Sequence, residues 1–504
     1  MKKYNVFKIL GIVIALTILL SYFIPQTTVN YGSVAKGDIN PVSIIDTFSN
    51  SITSFNVFIS QFIFILICAV FYGILHKTGE YEKVVNQTAV INENNKGLFV
   101  VISVLTLGII TAAIGDIFPM LIFVPFVMAV AVKLGYKKVS AIAMSVGAIL
   151  IGSTGSLYTN ITNQMLSTKP ETYLIYKIII LVVGLVSLIG FILVFTKPED
   201  TKLTVSKENG KVPIIISFIS ILLFTILGML PWNGFFKLDL FEDLFKDITA
   251  FKVGKISLYN AFVGNSVSAF GTWQLFDIFV LIAIVSVLLV ITYKIKFDDF
   301  LELSAKAVKK ALPYALIIII ANIVLVNVYS SGWITTLISA LAGKKFNLFT
   351  AIGSAFISGI VYPDYSYGLQ FTVSTIMYTI SESKKYYDIL AIAYQAIYSA
   401  ALLISPTSVL VLIALHYSDV KYTEWIKYIW KYFLILFASL VIILFVAKYG
   451  FTVSSILCLI IVLAVSTLLV VRRINNVKST MPKKEVKVEK KETKKTTKKV
   501  SKKK

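Results

Sequence analysis

Long apolar runs recur along the whole chain, and they constrain its fold more than any other feature. A run of about 17 to 25 apolar residues is long enough to cross the hydrocarbon core of a bilayer as an α-helix. Because these runs are apolar on every side and do not alternate with polar residues, they exclude a membrane β-barrel. The sequence therefore predicts an all-α, multi-pass membrane protein. The runs comprise residues 8–25, 56–75, 98–115, 119–135, 139–157, 173–195, 213–230, 274–293, 313–329, 346–362, 388–404, 431–447 and 454–471.

Composition and charge agree with a membrane location. The 504 residues are 57% hydrophobic and only 15% charged, a balance that soluble domains do not show. Of the formal net charge of +22, +12 lies in residues 472–504, which hold 2 Arg and 13 Lys against 3 Glu. A low-complexity basic tail beside a membrane exit is typical of the cytoplasmic side, where it contacts anionic lipid rather than nucleic acid. We therefore expect a bacterial inner-membrane protein with a disordered cytoplasmic tail at 472–504.

Two distant stretches carry the same signals in the same order. In the first, a Gly-Asp pair at 115–116 ends an apolar run, and a lysine pair at 137–138 follows about one membrane crossing later. In the second, a Pro-Asp pair at 363–364 and a lysine pair at 384–385 occupy the same places. In both stretches, another apolar segment comes next. This order predicts an internal structural repeat.

The repeat gives the predicted domain organisation. A transmembrane transporter domain covers residues 1–471, with one repeat at about 56–196 and the other at about 313–447. Counting spans places the two lysine pairs on opposite sides of the membrane, which favours an inverted repeat of the kind that many secondary transporters have. A parallel repeat is the alternative.

Each repeat contains a cluster of small hydroxyl residues inside an otherwise apolar segment. Gly or Pro within such a cluster breaks a helix, and a break inside a membrane is tolerated where it faces protein or a wet cavity. The freed carbonyls and hydroxyls can bind a solute or Na⁺, although small residues also serve simply to pack helices closely. The predicted substrate-binding residues are Ser153, Thr154, Gly155, Ser156, Asn160, Ser405, Pro406, Thr407 and Ser408, with Na⁺ expected near Thr154, Asn160 and Thr407.

Ionisable and amide residues form a second group of candidates. A carboxylate at the centre of a span costs roughly 2.5–3.5 kcal/mol, so Asp116 and Asp364 need a partner or a function if they lie deep. Otherwise they lie in surface turns. Asp364 and Asn327 are further substrate-binding candidates, although a buried amide often only joins two helices. Residues 330–345 are too short to cross the membrane and are predicted to form a re-entrant hairpin, with a counterpart at 73–90.

The sequence has no signature of ATP-driven or enzymatic chemistry. It contains no P-loop, nucleophile elbow, dinucleotide-binding motif or metal-ligand spacing. Energy is therefore expected to come from an ion gradient, of Na⁺ or H⁺, or from exchange of one solute for another. These features predict a secondary transporter without a cofactor rather than an enzyme.

Three segments resemble the YfcC-type carriers, which are grouped with anaerobic C4-dicarboxylate carriers and bacterial arginine:ornithine antiporters in the ion transporter superfamily. The segments are FYGILHKTGEYEKVV, the GSTGS break, and ISPTSVLVLIALHYSDVKYTEWIKYIWK. The resemblance implies a scaffold domain, a transport domain with two opposed re-entrant hairpins and two broken helices, a homodimer, and elevator-like movement. It places the binding region at Ser153 to Ser156 and at Ser405 to Ser408.

The distribution of charge bears on the substrate. The only arginines are Arg472 and Arg473, beyond the last predicted span, and no Lys lies at the centre of a span. A bidentate clamp for a dicarboxylate is therefore absent. Asp116, Asp364 and nearby tyrosines suit a cation better, which favours a basic amino acid exchanger, arginine against ornithine. The alternatives are a C4-dicarboxylate carrier and, from a different class, a channel or membrane scaffold that acts through its lysine tail.

Overall fold

The computed structural model describes most of the chain, and its gaps bear on some of the predictions. The described residues are 5–30, 33–157, 165–169, 171–200, 212–254, 256–257, 259, 261, 264, 268–380 and 383–450. The predicted last span at 454–471, the lysine-rich tail and Asn160 lie outside the described residues.

Helices make up the described membrane domain, and two short antiparallel strand pairs lie in its connections. The strands are β1 (Thr27–Asn30) with β2 (Ser33–Lys36), and β3 (Lys252–Val253) with β4 (Ile256–Ser257). The helices are α1 (Asn5–Ser21), α2 (Ile44–Thr78), α3 (Glu80–Ile91), α4 (Lys96–Ile114), α5 (Val124–Lys133), α6 (Lys138–Ile142), α7 (Ala148–Thr154), α8 (Leu174–Phe195), α9 (Val212–Met229), α10 (Trp232–Phe236), α11 (Leu240–Ala250), α12 (Leu275–Thr292), α13 (Phe297–Ser331), α14 (Trp333–Ala342), α15 (Leu348–Val361), α16 (Tyr365–Thr379), α17 (Tyr387–Ala401), α18 (Val409–Ser418) and α19 (Tyr422–Tyr449). Three 3₁₀ turns (Glu93–Asn95, Pro119–Phe123, Ser383–Tyr386) and one π turn (Ala143–Gly147), which joins α6 to α7, complete the elements.

Seven of the described helices are long and apolar enough to cross a bilayer. They are α2, α4 with the turn before it, α8, α9, α12, α13 and α19. The chain is therefore an all-α polytopic membrane protein, as the sequence predicts. Other apolar helices, among them those of residues 119–133, 138–154, 348–361 and 409–418, are shorter. These shorter helices coincide with the two regions where the sequence predicts interrupted segments.

Helices α2 and α13 form an antiparallel pair. Each has 35 residues, about 50 Å of helix. Ser54 Oγ donates to the Ile319 carbonyl (2.8 Å). Some five turns further along α2, Gly73 lies against Leu303 and Ala307, where even a Cβ atom would be only 3.2 Å from its nearest neighbour. Since the partner positions on α13 fall in number as those on α2 rise, the two helices run in opposite directions.

The order of elements after α2 is repeated after α13. Each long helix ends at a glycine in the left-handed region, Gly79 (φ 69°) and Gly332 (φ 64°), a conformation that glycine adopts at little cost. A short helix follows (α3, α14), then a pair of helices joined by an interrupted tip (α4 and α5, α15 and α16), and then a helix that breaks (α6–α7, α17). The predicted hairpins at 330–345 and 73–90 are therefore wrong. Residues 333–342 form one short helix, and Gly73 lies within α2.

The re-entrant hairpins are instead α4–α5, here called hairpin A, and α15–α16, here called hairpin B. Lys96 at the start of α4 donates to the Glu199 carbonyl (3.0 Å), and the Glu199 N–H donates to the carbonyl of Gly135, just after α5 (2.9 Å). Hairpin A therefore begins and ends at one place. In hairpin B, Phe346 precedes α15 and stacks on Tyr386, which follows α16 (4.1 Å between ring centroids).

The two lysine pairs lie at opposite ends of the helix bundle. Lys138 Nζ donates to the Ser418 carbonyl (2.9 Å), just before α19 begins. Lys448, in the last turn of α19, lies over the ring of Tyr386 (4.7 Å to the centroid), close in sequence to Lys384. Because α19 has 28 residues, about 42 Å of helix, the two sites are far apart. The repeat is inverted, and the two ends are called the Lys138 end and the Lys384 end.

This topology predicts one-sided chemical labelling. In a background of Cys68→Ser and Cys458→Ser, we expect Lys137→Cys and Lys384→Cys to react with a membrane-impermeant maleimide from opposite sides, because both side chains are exposed at opposite ends of the bundle. Labelling of intact cells and of inside-out vesicles measures this. Reaction of both cysteines from the same side would contradict the inverted arrangement.

Candidate functional site

The tips of the two hairpins bring two carboxylates together. Tip A comprises residues 115–123. Gly115 (φ 76°) ends α4, and Asp116 Oδ1 accepts a hydrogen bond from the Phe118 N–H (2.9 Å). Tip B comprises residues 362–364, where Asp364 caps α16 by accepting from the Tyr367 N–H (2.9 Å). Asp116 lies close enough to repel the charge of Asp364. Each hairpin tip therefore carries one half-buried aspartate, and the two carboxylates lie within electrostatic range of each other.

Break B comprises residues 402–408, between α17 and α18, and it is attached to the end of hairpin B's first helix. Ser405 Oγ lies 2.8 Å from the Ile360 carbonyl and 2.9 Å from Thr407 Oγ1, which lies 3.2 Å from the same carbonyl. Ser405, Thr407 and Ser408 are buried, and Pro406 lies in the turn between them. The hydroxyl cluster predicted from the sequence therefore lies in unwound backbone beside tip B.

The unwound carbonyls of break B have donors from α19. Trp425 Nε1 donates to the Leu403 carbonyl (2.8 Å), and the Tyr422 hydroxyl donates to the Ile404 carbonyl (2.5 Å). In a hydrocarbon environment an unpaired carbonyl would cost several kcal/mol. These two aromatic side chains therefore stabilise the break.

Break A begins where α7 ends, and its described part comprises residues 155–157. Gly155 leaves the helix (φ −109°, ψ 28°). It packs against Leu181, whose Cβ would lie 2.7 Å from an added Cβ at Gly155, so no larger residue fits. The Ser156 hydroxyl (3.3 Å) and the Leu157 N–H (2.9 Å) both donate to the Ala112 carbonyl, in the last turn of α4. Break A is thus held by hairpin A as break B is held by hairpin B.

Two residues of the first cluster are still helical. Ser153 Oγ donates to the Leu150 carbonyl (3.1 Å) and Thr154 Oγ1 to the Ile151 carbonyl (2.7 Å), both within α7. Their hydroxyl oxygens keep lone pairs that a cation can use. The expected Na⁺ near Thr154 and Thr407 stays a prediction.

Helix α17 connects the elements of the site. Gln395 Nε2 donates to the Ser156 carbonyl in break A (2.7 Å). One turn later, the Tyr398 hydroxyl lies 2.9 Å from the Tyr362 carbonyl and 2.8 Å from that of Asp364, both in tip B. About 9 Å of helix separates Gln395 from the end of α17, where break B begins. The two hydroxyl clusters are therefore joined through α17 and tip B.

The predicted site residue Asn327 lies elsewhere. Its Oδ1 accepts from Asn50 Nδ2 (2.9 Å) and its Nδ2 donates to Thr47 Oγ1 (3.3 Å), so it links α13 to α2 near the Lys384 end. Its amide is already paired on both sides. The structure thus favours the alternative in which this asparagine joins two helices, and it removes Asn327 from the candidate site.

Sequence analysis missed two functional candidates. In the sequence, Tyr398 is part of the apolar run at 388–404. The one feature that indicates a polar role is its spacing of one helical turn from Gln395, which places both side chains on the same face of a helix. Lys177, only 4% exposed, lies one turn before Leu181, the residue that packs on Gly155. The amine is at the start of a span rather than at its centre, so hydropathy did not mark it. It adds a positive charge on the side of break A.

The fold and the site together define a class: an all-helical polytopic membrane protein with two opposed hairpins and two interrupted helices. No family model matches the chain, and no curated protein matches it in sequence. Two solved structures align over most of its length. The YdaH transporter of Alcanivorax borkumensis covers 89% of this chain and 99% of its own, at 10% identity and a TM-score of 0.42. MtrF of Neisseria gonorrhoeae, from a class of antimetabolite efflux pumps, covers 88% and 94%, at 13% identity and a TM-score of 0.39.

Likeness at this level does not show membership of a family. The resemblance to YfcC-type carriers therefore stays a prediction.

The contacts of Tyr398 predict a measurable loss of stability. We expect Tyr398→Phe to lower the free energy of unfolding by about 1–3 kcal/mol, because tip B loses the one hydroxyl proton that its Tyr362 and Asp364 carbonyls share. Tyr449→Phe, at an exposed position on α19, is the matched control and should change little. Unfolding of purified protein in mixed micelles with increasing sodium dodecyl sulfate measures both. Equal stability of the two variants would show that the hydroxyl does not hold tip B.

Proposed function

We propose that this protein is a secondary active transporter of a small charged solute. The observation that supports this most directly is that Asp116 and Asp364, at the tips of two hairpins that enter from opposite ends, lie within electrostatic range of each other. Charged residues inside a membrane are costly and usually mark a solute or ion pathway. In this proposal, the solute binds between tip A, tip B and break B.

Opposed hairpins suit alternating access. Each hairpin separates the shared site from one end of the bundle, so a shift of one hairpin exposes the site to that end alone. We propose that hairpins A and B move with α7 and α17 against the α2–α13 pair, in an elevator-like manner, and that the protein is a homodimer. The transporter domain would comprise residues 1–471, with the lysine-rich tail as a separate cytoplasmic segment.

The proposed substrate is cationic. Two carboxylates within electrostatic range of each other repel, and a cation between them relieves that repulsion. A basic amino acid such as arginine or ornithine supplies that cation, and the rings of Tyr362 and Tyr365 offer aromatic faces nearby. The hydroxyls of Ser405 and Thr407 are candidates to bind the polar remainder of the substrate. Exchange of two such amino acids, or coupling to Na⁺ or H⁺, would supply the energy.

The alternative substrate is a C4-dicarboxylate, and one observation favours it. Lys177 is a buried amine close to break A, and it could bind a carboxylate together with the break hydroxyls. A channel or a tail-centred scaffold is the alternative from a different class. Paired aspartates at opposed tips support the cation, so the basic amino acid is the first candidate.

Counterflow separates a carrier from a channel and tests the aspartates. Liposomes preloaded with arginine should accumulate labelled arginine or ornithine without a membrane voltage, which a channel cannot do. Asp364→Asn should lower the initial rate about tenfold, because a charge-assisted contact contributes roughly 1.5–3 kcal/mol while asparagine still caps α16. Asp388→Asn, an exposed residue in the first turn of α17, is the matched control and should transport normally.

Two results would contradict this assignment. Counterflow of succinate but not of arginine would favour the dicarboxylate alternative. Unchanged arginine kinetics in Asp364→Asn would show that tip B does not hold the charge of the substrate.

The tail should be dispensable for transport. Deletion of residues 474–504 is expected to leave the counterflow rate per protein unchanged, because the proposed site lies between the hairpins. Reconstitution of equal amounts of full-length and truncated protein measures this. Loss of counterflow in the truncated protein would favour a function centred on the tail.

A further inference from the structure

A cavity that the proposed transport site does not use lies toward the Lys138 end. It has a volume of about 200 Å³, and its walls come from α2, α13, α18 and the segment that joins tip A to α5. Apolar side chains form most of the surface. Its polar side chains are Tyr72, His76, Lys310, Tyr314 and Tyr417.

The charges at this cavity select for an anion. Lys310 contributes a cationic side chain, and none of the described residues that line the cavity is Asp or Glu. The carboxylate near it is Glu82, 3.7 Å from His76 Nδ1, and that carboxylate also lies 3.7 Å from Lys133 Nζ. A mostly apolar pocket with a few polar groups at one side is the usual form of a small-molecule site. The fitting ligand has an apolar body and an anionic head.

The volume favours a small soluble amphiphile over a membrane lipid. A cavity of about 200 Å³ can take part of a single chain, whereas a phospholipid has two long chains and a bulky head group. A medium-chain carboxylate combines one flexible apolar chain with a head group that Lys310 can bind.

The cavity also lies on a boundary between the α2–α13 pair and hairpin A. At its wall, the Tyr72 hydroxyl of α2 donates to the Ile122 carbonyl of tip A (2.6 Å). Ala311 of α13 and Ala414 of α18 also line the cavity. A ligand in the cavity would therefore contact both the helix pair and the tip.

We propose that this cavity is a regulatory site for an amphipathic carboxylate. Its occupant holds tip A against α2 and α13, and so slows the movement of hairpin A. The binding site is inferred from the cavity itself, whereas the slowing rests on the proposed transport function.

Photolabelling tests the binding site without any need for transport. Full-length protein in phosphatidylcholine nanodiscs is irradiated with a decanoate analogue that carries a diazirine on its chain, and the labelled peptides are identified by mass spectrometry. We expect label on the cavity segments of α2 or α13, displaced by decanoate and not by decyltrimethylammonium. Lys310→Gln should lower the labelling about threefold, as expected for a partly exposed ion pair. The neighbouring Lys309→Gln, which does not line the cavity, should not.

Three outcomes of photolabelling would overturn the site. They are equal displacement by the cationic amphiphile, unchanged labelling in Lys310→Gln, and labelling of the same peptides by a diazirine phospholipid. Ala311→Phe, which fills the cavity, should abolish the label while Lys309→Gln keeps it, so a general effect of substitution on folding is distinguishable.

Counterflow tests the regulatory half. Decanoate should slow arginine counterflow in the wild type and act about threefold more weakly in Lys310→Gln. If the protein is photolabelled as expected but decanoate does not slow its counterflow, the regulatory role is overturned. Protein that labels as expected but shows no counterflow of any solute would contradict the proposed function and leave the binding site supported.

Discussion

The need to pair every backbone polar group inside a bilayer governs how this chain can interrupt its helices. Break B is possible because Trp425 and Tyr422 donate to its freed carbonyls, while Ser405 binds the end of α15. In break A, the Ser156 hydroxyl and the Leu157 N–H donate to the Ala112 carbonyl of α4, and the Ser156 carbonyl accepts from Gln395. Each interruption is therefore attached to a hairpin of its own repeat, and the hairpins could not be placed independently of the breaks.

This attachment has a mechanical consequence for the proposed function. Hairpin B and break A contact α17 through Tyr398 and Gln395, and break B follows directly from the end of α17. The α2–α13 pair is held together by its own contacts, such as that of Ser54 with the Ile319 carbonyl. Alternating access needs a boundary along which one group of helices can move against another. The cavity beside Tyr72 lies on the boundary between the α2–α13 pair and hairpin A.

The charged residues near the proposed site bear on which solute it can bind. The carboxylates of Asp116 and Asp364 repel each other, and a positive charge between them would relieve that repulsion. Lys177 lies on the side of break A and could neutralise a carboxylate there. In the proposed function, a zwitterionic solute with an additional positive charge would contact both features.

The sequence by itself determined the helical class, the repeat and the places where helices are interrupted, because apolar run length, glycine, proline and hydroxyl clusters are local signals. It misplaced the hairpins, since the short apolar segment at 330–345 looks re-entrant although Gly332 and Gly343 merely bound a short helix. Only the tertiary structure decided which polar groups meet. The pairing of Asn327 with Asn50, the contacts of Tyr398 with tip B and the approach of Asp116 to Asp364 join residues from 34 to 277 positions apart in the chain, and no local pattern encodes such a distance.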